Sequence, residues 1–217
     1  MSKIRRSIAA SVAALVLSLV GLVGCDHKPH AVEDVNPVHV ATMQKTLRDL
    51  WLGHIFWVQR VVLFNTTTDP AEQDAADKHV LANAKQIAST LTPFYGEARS
   101  EKFLALLTGH YAAVKDYAEA ATFANTQGQE TALARLASNA DLFAEFINGV
   151  NPHHLPKDTV RDMIAAHGAH HVLQINQYMR KEYVHLDETW PMMRQHVYLF
   201  ADTLTTGLVK QFPGRFS

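Results

Sequence analysis

The sequence predicts an all-α protein, an up-and-down antiparallel bundle of about six helices built as three degenerate helical hairpins. Three observations lead to this fold class. From residue 38 onward, apolar residues recur at helical spacing, and no stretch of useful length alternates as a strand would. Glycine is sparse, with 10 in 217 residues. Short connections between the predicted helices favour antiparallel neighbours, so residues 38–213 are expected to form one helical-bundle domain.

The first hairpin is predicted from two apolar stripes and the turn between them. The first helix is expected over about residues 38–65, with Trp51 and Val58 on its apolar stripe. Asp69 and Pro70 suit an N-cap and a first helical turn, so the second helix is expected to open there. It is expected to stop at residues 92–96, which contain proline and glycine.

The other two hairpins follow from the same pattern. The third helix is expected to begin near Ser100 and to be broken by residues 126–128. The fourth is expected to end at Gly149. Asp158 has the side chain to cap the fifth helix, and the sixth is expected to end before Pro213.

The N-terminus has the pattern of an export signal. Three basic residues precede an apolar run over residues 8–23, which is shorter than the roughly 20 apolar residues that a spanning helix needs. Residues 22–25 read Leu-Val-Gly-Cys and resemble the lipobox of bacterial lipoproteins. That resemblance implies a signal peptide over residues 1–24, lipidation of Cys25 and attachment to a membrane through the lipid. Residues 25–37 are polar, contain two prolines and are expected to be a flexible tether.

The composition of residues 25–217 excludes some partners. Removing the three basic residues of the signal leaves 17 basic against 21 acidic residues, a net charge of −4 with neutral histidine. Such a chain lacks the basic face that nucleic acid requires. Cys25 is the single cysteine, so no disulfide forms within the chain. The expected location is the bacterial cell envelope, facing the periplasm, with the choice of membrane and any protein partner left open.

A degenerate repeat relates the three hairpins. His54 and His110 each follow a glycine, and His167 occupies the corresponding place in the fifth helix, so the spacings are 56 and 57 residues. The even-numbered helices carry a second series, Asn83, Asn139 and His196, with the same spacings. Equal spacing along successive hairpins places these polar residues at similar depth in a bundle.

This polar layer suggests a metal site made by His54, His110, His167 and His196. Imidazole suits zinc, copper, iron and nickel, and its neutral form is the ligand, so binding is expected to weaken below about pH 6. Asn83 and Asn139 would orient the rings by hydrogen bonds, and Met163 and Met192 would place a thioether one turn from a histidine.

Two other interpretations of the layer remain open. One is a hydrogen-bonded polar core with no ligand, in a structural or interaction lipoprotein, and the other is an organic ligand or heme. His170 and His171 lie three and four residues after His167, so one of them can share its helix face. No residue stands out as a general base, so no catalytic residue is assigned.

Several short motifs resemble an uncharacterised family of secreted bacterial helical proteins. They include Leu50-Trp51-x-x-His54, residues 93–96, Asn151-Pro152, Met163-x-x-x-His167 and residues 209–213. The family implies no established activity. The label glycosyltransferase, which some members carry, finds no support in this sequence, because it has no nucleotide-binding α/β pattern.

Overall fold

The computed structural model describes residues 34–64 and 70–217, so the predicted signal peptide, Cys25 and Asp69 lie outside the described residues. The predicted fold class is confirmed: the described residues form six long helices and no strand. The elements are α1 (Pro37–Phe64), α2 (Pro70–Ser89), α3 (Thr92–Tyr95), α4 (Glu97–Thr122), α5 (Thr126–Val150), α6 (Lys157–Met179), α7 (Tyr183–Gln211) and a 3₁₀ turn (Pro213–Arg215).

Two helix starts differ from the predictions for local reasons. Gly128 does not break a helix but lies in the first turn of α5, where its backbone N–H donates to the side chain of Asn125, the N-cap, at 3.0 Å. Asp158 is not the cap of α6, because this helix already begins at Lys157. Its carboxylate lies in the first turn, where it faces the positive end of the helix dipole.

The six long helices pack as a closed ring of three hairpins. The hairpin pairs are α1 with α2, α4 with α5, and α6 with α7, and α7 packs back against α1. Arg48 on α1 reinforces this closure by donating from Nε to Asp202 on α7 at 2.7 Å. The first helix of the second hairpin, α4, also contacts α6 directly, which brings the histidine-bearing helices together.

Corresponding positions of the three hairpins are buried together, so the repeat in the sequence is also a repeat in the core. Three such sets belong to one apolar cluster: Leu47, Phe103 and Val160; Trp51, Leu107 and Ile164; Ile87, Phe143 and Phe200. A second apolar cluster holds residues further along the same helices, among them Val58, Val114 and Ile175. Along α4 and α6, the repeated histidines fall between residues of the first cluster and residues of the second.

The folded region extends slightly beyond the predicted domain at both ends. The backbone N–H of Asn36 donates to the carbonyl of Phe216 at 2.6 Å, and Phe216 itself is buried in the core. Val35 packs against the same cluster. Among the described helices, none combines the length and apolar character needed to cross a membrane.

Candidate metal centre

Four buried histidines converge at the centre of the bundle. His54 comes from α1, His110 from α4, and His167 and His171 from α6. One ring nitrogen from each lies within 4.8 Å of the corresponding atoms of the other three. All four side chains are nearly closed to solvent, with 1–5% of their surface exposed. We call this set the four-histidine group.

The convergence follows from the helix geometry. His54, His110 and His167 occupy equivalent positions of the three hairpins, so each points inward from its own helix at the same depth. His171 follows His167 by four residues, which places both rings on one face of α6. The Nε2 atoms of these two residues are 3.2 Å apart.

Most nitrogens of the group have no hydrogen-bond partner among the residues that the structure describes. Within that part of the chain, both ring nitrogens of His54, both of His110 and Nδ1 of His167 are buried and make no hydrogen bond. The one hydrogen bond within the group joins His167 and His171. A buried polar atom without a partner costs about 1–3 kcal/mol, so these nitrogens are expected to bind a water molecule or a metal ion.

Burial keeps these imidazoles neutral. Desolvation, with a smaller effect of His110, lowers the pKa of His54 to about 3, and desolvation lowers the pKa of His110 to about 4. The pKa values of His167 and His171 are lowered well below 6.5, chiefly by burial and then by the neighbouring imidazoles. Proton competition with a metal therefore begins at lower pH in the folded protein than the pH of about 6 expected from an ordinary histidine.

Asn83, Asn139 and His196, the second polar series, form hydrogen bonds to backbone carbonyls and not to the imidazoles of the four-histidine group. Asn83 Nδ2 donates to the Leu50 carbonyl, Asn139 Nδ2 to the Leu106 carbonyl, each at 3.0 Å, and each pair is 33 residues apart. Each accepting carbonyl belongs to the residue four before a histidine of the group. These asparagines therefore tie the two helices of a hairpin together beside the group.

The glycines before His54 and His110 make room for these ties. A Cβ on Gly53 would lie 3.1 Å from Asn83 Nδ2, and one on Gly109 would lie 3.3 Å from Asn139 Nδ2. Both distances are tighter than most real Cβ contacts, so the two helices of each hairpin approach closely at this layer.

His196 takes the tying role in the third hairpin and is not in the four-histidine group. Its Nε2–H donates to the Met163 carbonyl at 2.9 Å, again across 33 residues, as the two asparagines do. The structure places His171 in the group instead. The repeat contains the signal for this: position 171 corresponds to Val58 and Val114, which are buried, so a histidine there must face the core.

The other predicted supporting residues lie around the group rather than in it. Met192 is 50% exposed, and Met163 packs at the edge of the apolar core. Trp51 borders the group directly: its ring meets those of His54 and His167 edge-on, with centroids 5.6 and 5.9 Å away. The indole ring of Trp51 thus covers one side of His54 and of His167 with apolar surface.

The dimensions of the group suit a single ion. In a tetrahedral site with metal–nitrogen bonds of 2.0–2.1 Å, neighbouring ligand nitrogens are about 3.3 Å apart. The Nε2 atoms of His167 and His171 are 3.2 Å apart, which already matches this spacing. The other ring nitrogens lie within 4.8 Å of one another, so small side-chain movements would bring them to the same spacing. Ring nitrogens this close can all reach one metal ion.

The fold and this site define a class of protein: an all-α bundle of three repeated hairpins around a buried group of four histidines. No family model matches the chain, and no curated protein and no solved structure matches it.

Proposed function

We propose that this protein binds one transition-metal ion through His54, His110, His167 and His171. The observation that carries the proposal is the convergence of four buried imidazoles, with one ring nitrogen from each lying within 4.8 Å of the other three. A polar core that only specified helix register would have its nitrogens paired with one another, with backbone groups or with ordered water. An ion would instead occupy one lone pair from each ring.

The charge of the ion bears on its identity. The four-histidine group contains no carboxylate, so four neutral ligands leave the charge of the ion uncompensated within the group. Burying charge is costly, and the cost rises steeply from a monovalent to a divalent ion. Cu⁺ is therefore favoured over Zn²⁺ by desolvation, whereas Zn²⁺ is favoured by its preference for four tetrahedral nitrogen ligands.

Metal titration of full-length protein purified without a polyhistidine tag tests the proposal. We expect one equivalent of Zn²⁺, Co²⁺ or Cu⁺ to bind tightly and to raise the unfolding temperature. Tetrahedral coordination of Co²⁺ would give intense visible absorption. At a free metal concentration about 100 times Kd, the added stability is about 2.7 kcal/mol. Absence of binding and of any thermal shift with all three ions, and with Ni²⁺ and iron, would leave the ligand-free polar core as the better interpretation.

We also propose that the bundle is exported and held on a membrane by lipid on Cys25. The support is the sequence pattern of residues 1–25, since Cys25 lies outside the described residues. Substituting Cys25→Ser is expected to move the protein from the membrane fraction to the soluble fraction while leaving metal binding unchanged. The matched control is His27→Ser, which introduces the same side chain two residues further on and should stay in the membrane fraction. Equal membrane retention of the Cys25→Ser protein would contradict lipid attachment.

A further inference from the structure

Three histidines around His167 in the third hairpin have no histidine at the corresponding positions of the first two hairpins. Two of the three lie on α6 and the third on α7. The corresponding residues are Val58 and Val114 for His171, Trp57 and Ala113 for His170, and Asn83 and Asn139 for His196. The four-histidine group accounts for His171. It does not account for His170 and His196.

His170 and His196 form a pair at the edge of the group. Their ring centroids are 5.1 Å apart, and both side chains are half-buried. His196 also stacks on His167, with centroids 5.9 Å apart and planes within 10° of parallel. The pair therefore connects the protein surface to a member of the four-histidine group.

Each residue of the pair offers a ring nitrogen. Because His196 donates from Nε2 to the Met163 carbonyl, its Nδ1 carries the lone pair and is the available ligand atom. The imidazole of His170 donates one hydrogen bond to the backbone of Ala166, so its other ring nitrogen carries the lone pair and is the available ligand atom. The hydrogen bond between the two helices of a hairpin needs only a donor at this position, and asparagine supplies it at positions 83 and 139. The imidazole of His196 therefore provides a ligand atom that this hydrogen bond does not require.

An ion must cross the protein to reach the four-histidine group, because its side chains are nearly closed to solvent. A cavity lined in part by His171 and Gln174 has a volume of only about 10 Å³, the lower limit for one water molecule. A larger cavity of about 370 Å³ borders Gly168, but its lining is mainly apolar and includes no histidine. A route past His196 and His170 would instead keep an ion coordinated while it sheds its water, which avoids the cost of a bare buried charge.

We propose that His170 and His196 form an outer metal-binding site on the route by which an ion enters the four-histidine group. This inference rests on the proposed metal-binding function. It predicts two sites in one chain: a closed inner site of high affinity and a half-buried outer site of lower affinity and faster exchange.

Two substitutions taken from the chain's own repeat test the outer site. His196→Asn reproduces the residue of the first two hairpins and keeps a donor for the Met163 carbonyl. His170→Ala reproduces Ala113. His153→Ala is the matched control, since His153 and His154 form another neighbouring pair of imidazoles, with centroids 6.3 Å apart, outside the route. Because alanine is the strongest helix former, His170→Ala keeps the test valid if His196→Asn fails to fold.

Zinc stoichiometry by equilibrium dialysis and the rate of Co²⁺ uptake by stopped-flow absorption are measured on full-length protein. We expect the unsubstituted protein to bind a second, weaker equivalent of Zn²⁺. His196→Asn and His170→Ala should weaken that second equivalent by about tenfold or more and slow Co²⁺ uptake by a similar factor. The affinity of the inner site should change less than about twofold.

The outcomes separate the two proposals. One outcome is that the four-histidine group binds metal while both variants take up Co²⁺ at the rate of the unsubstituted protein and still bind a second equivalent of Zn²⁺. That result would refute the outer site and leave the proposed inner site unaffected. The same conclusion follows if His153→Ala is the variant that removes the second equivalent. If the unsubstituted protein binds no metal, the proposed function itself fails.

Discussion

Substituting His110→Leu should stabilise the metal-free protein and abolish its response to metal. His110 is buried with both ring nitrogens unpaired, so removing the imidazole removes the cost of burying them. We expect the free energy of unfolding without metal to rise by about 1–3 kcal/mol, since leucine has a similar volume. Most substitutions destabilise a protein, so an increase in the free energy of unfolding would be unusual.

Metal should reverse the order of the two proteins. At a free Zn²⁺ concentration about 1,000 times Kd, the unsubstituted protein gains about 4.1 kcal/mol, which exceeds the advantage of the variant, and the variant, with three imidazoles left, should gain far less. Chemical denaturation with and without Zn²⁺ measures both effects. His185→Leu, at an exposed position, is the matched control and should change neither. A destabilised metal-free His110→Leu protein would mean that the ring nitrogens are paired in solution, as a structural polar core requires.

Acid should unfold the metal-free protein at a pH where most carboxylates are still ionised. In the unfolded chain, histidine has a pKa near 6.5, whereas the folded values are about 3 for His54 and about 4 for His110. As the pH falls below 6.5, the histidines bind protons in the unfolded state but not in the folded state, so the free energy of unfolding decreases. The slope is about 1.4 kcal/mol per pH unit for each histidine.

Between pH 6.5 and pH 4.5, His54 and His110 alone should cost roughly 4 kcal/mol, a large part of the 5–15 kcal/mol typical of a domain. The lowered pKa values of His167 and His171 act in the same direction. Asp202 contributes little in this window, because its ordinary pKa of 3.8 already lies below pH 4.5 and Arg48 lowers the folded value further.

Urea denaturation as a function of pH measures this slope. Saturating Zn²⁺ should flatten it, because a coordinated imidazole cannot take up a proton until the ion leaves. His110→Leu should reduce it by about 1.4 kcal/mol per pH unit, since one titrating group is gone. A stability that stays constant from pH 6.5 to pH 4.5 would show that the imidazoles are accessible to protons in the folded protein.

Much of the candidate site was predictable because the hairpins repeat. The spacing of 56 and 57 residues predicts one depth for His54, His110 and His167. The structure places these three together. The same register, followed through to position 171, marks His171 as a core residue, because its counterparts are buried valines.

The exchange of roles between His171 and His196 was not predictable from residue type. A histidine can use either ring nitrogen as a ligand or as a hydrogen-bond donor, and only the 2.9 Å contact to the Met163 carbonyl shows that Nε2 of His196 is a donor outside the four-histidine group. The helix cap at Asn125 was not predictable either. Glycine often breaks a helix, yet Gly128 lies in the first turn of α5, where its N–H donates to the side chain of Asn125.

The all-α class, the three hairpins and the layer of polar residues at their centre follow from residue spacing, because helical periodicity and equal spacing are properties of the chain alone. Which nitrogens meet and which form hydrogen bonds could be read only from the packed helices. Depth along a bundle follows from residue number, whereas the direction of a ring and its partner depend on the packing of helices distant in the sequence.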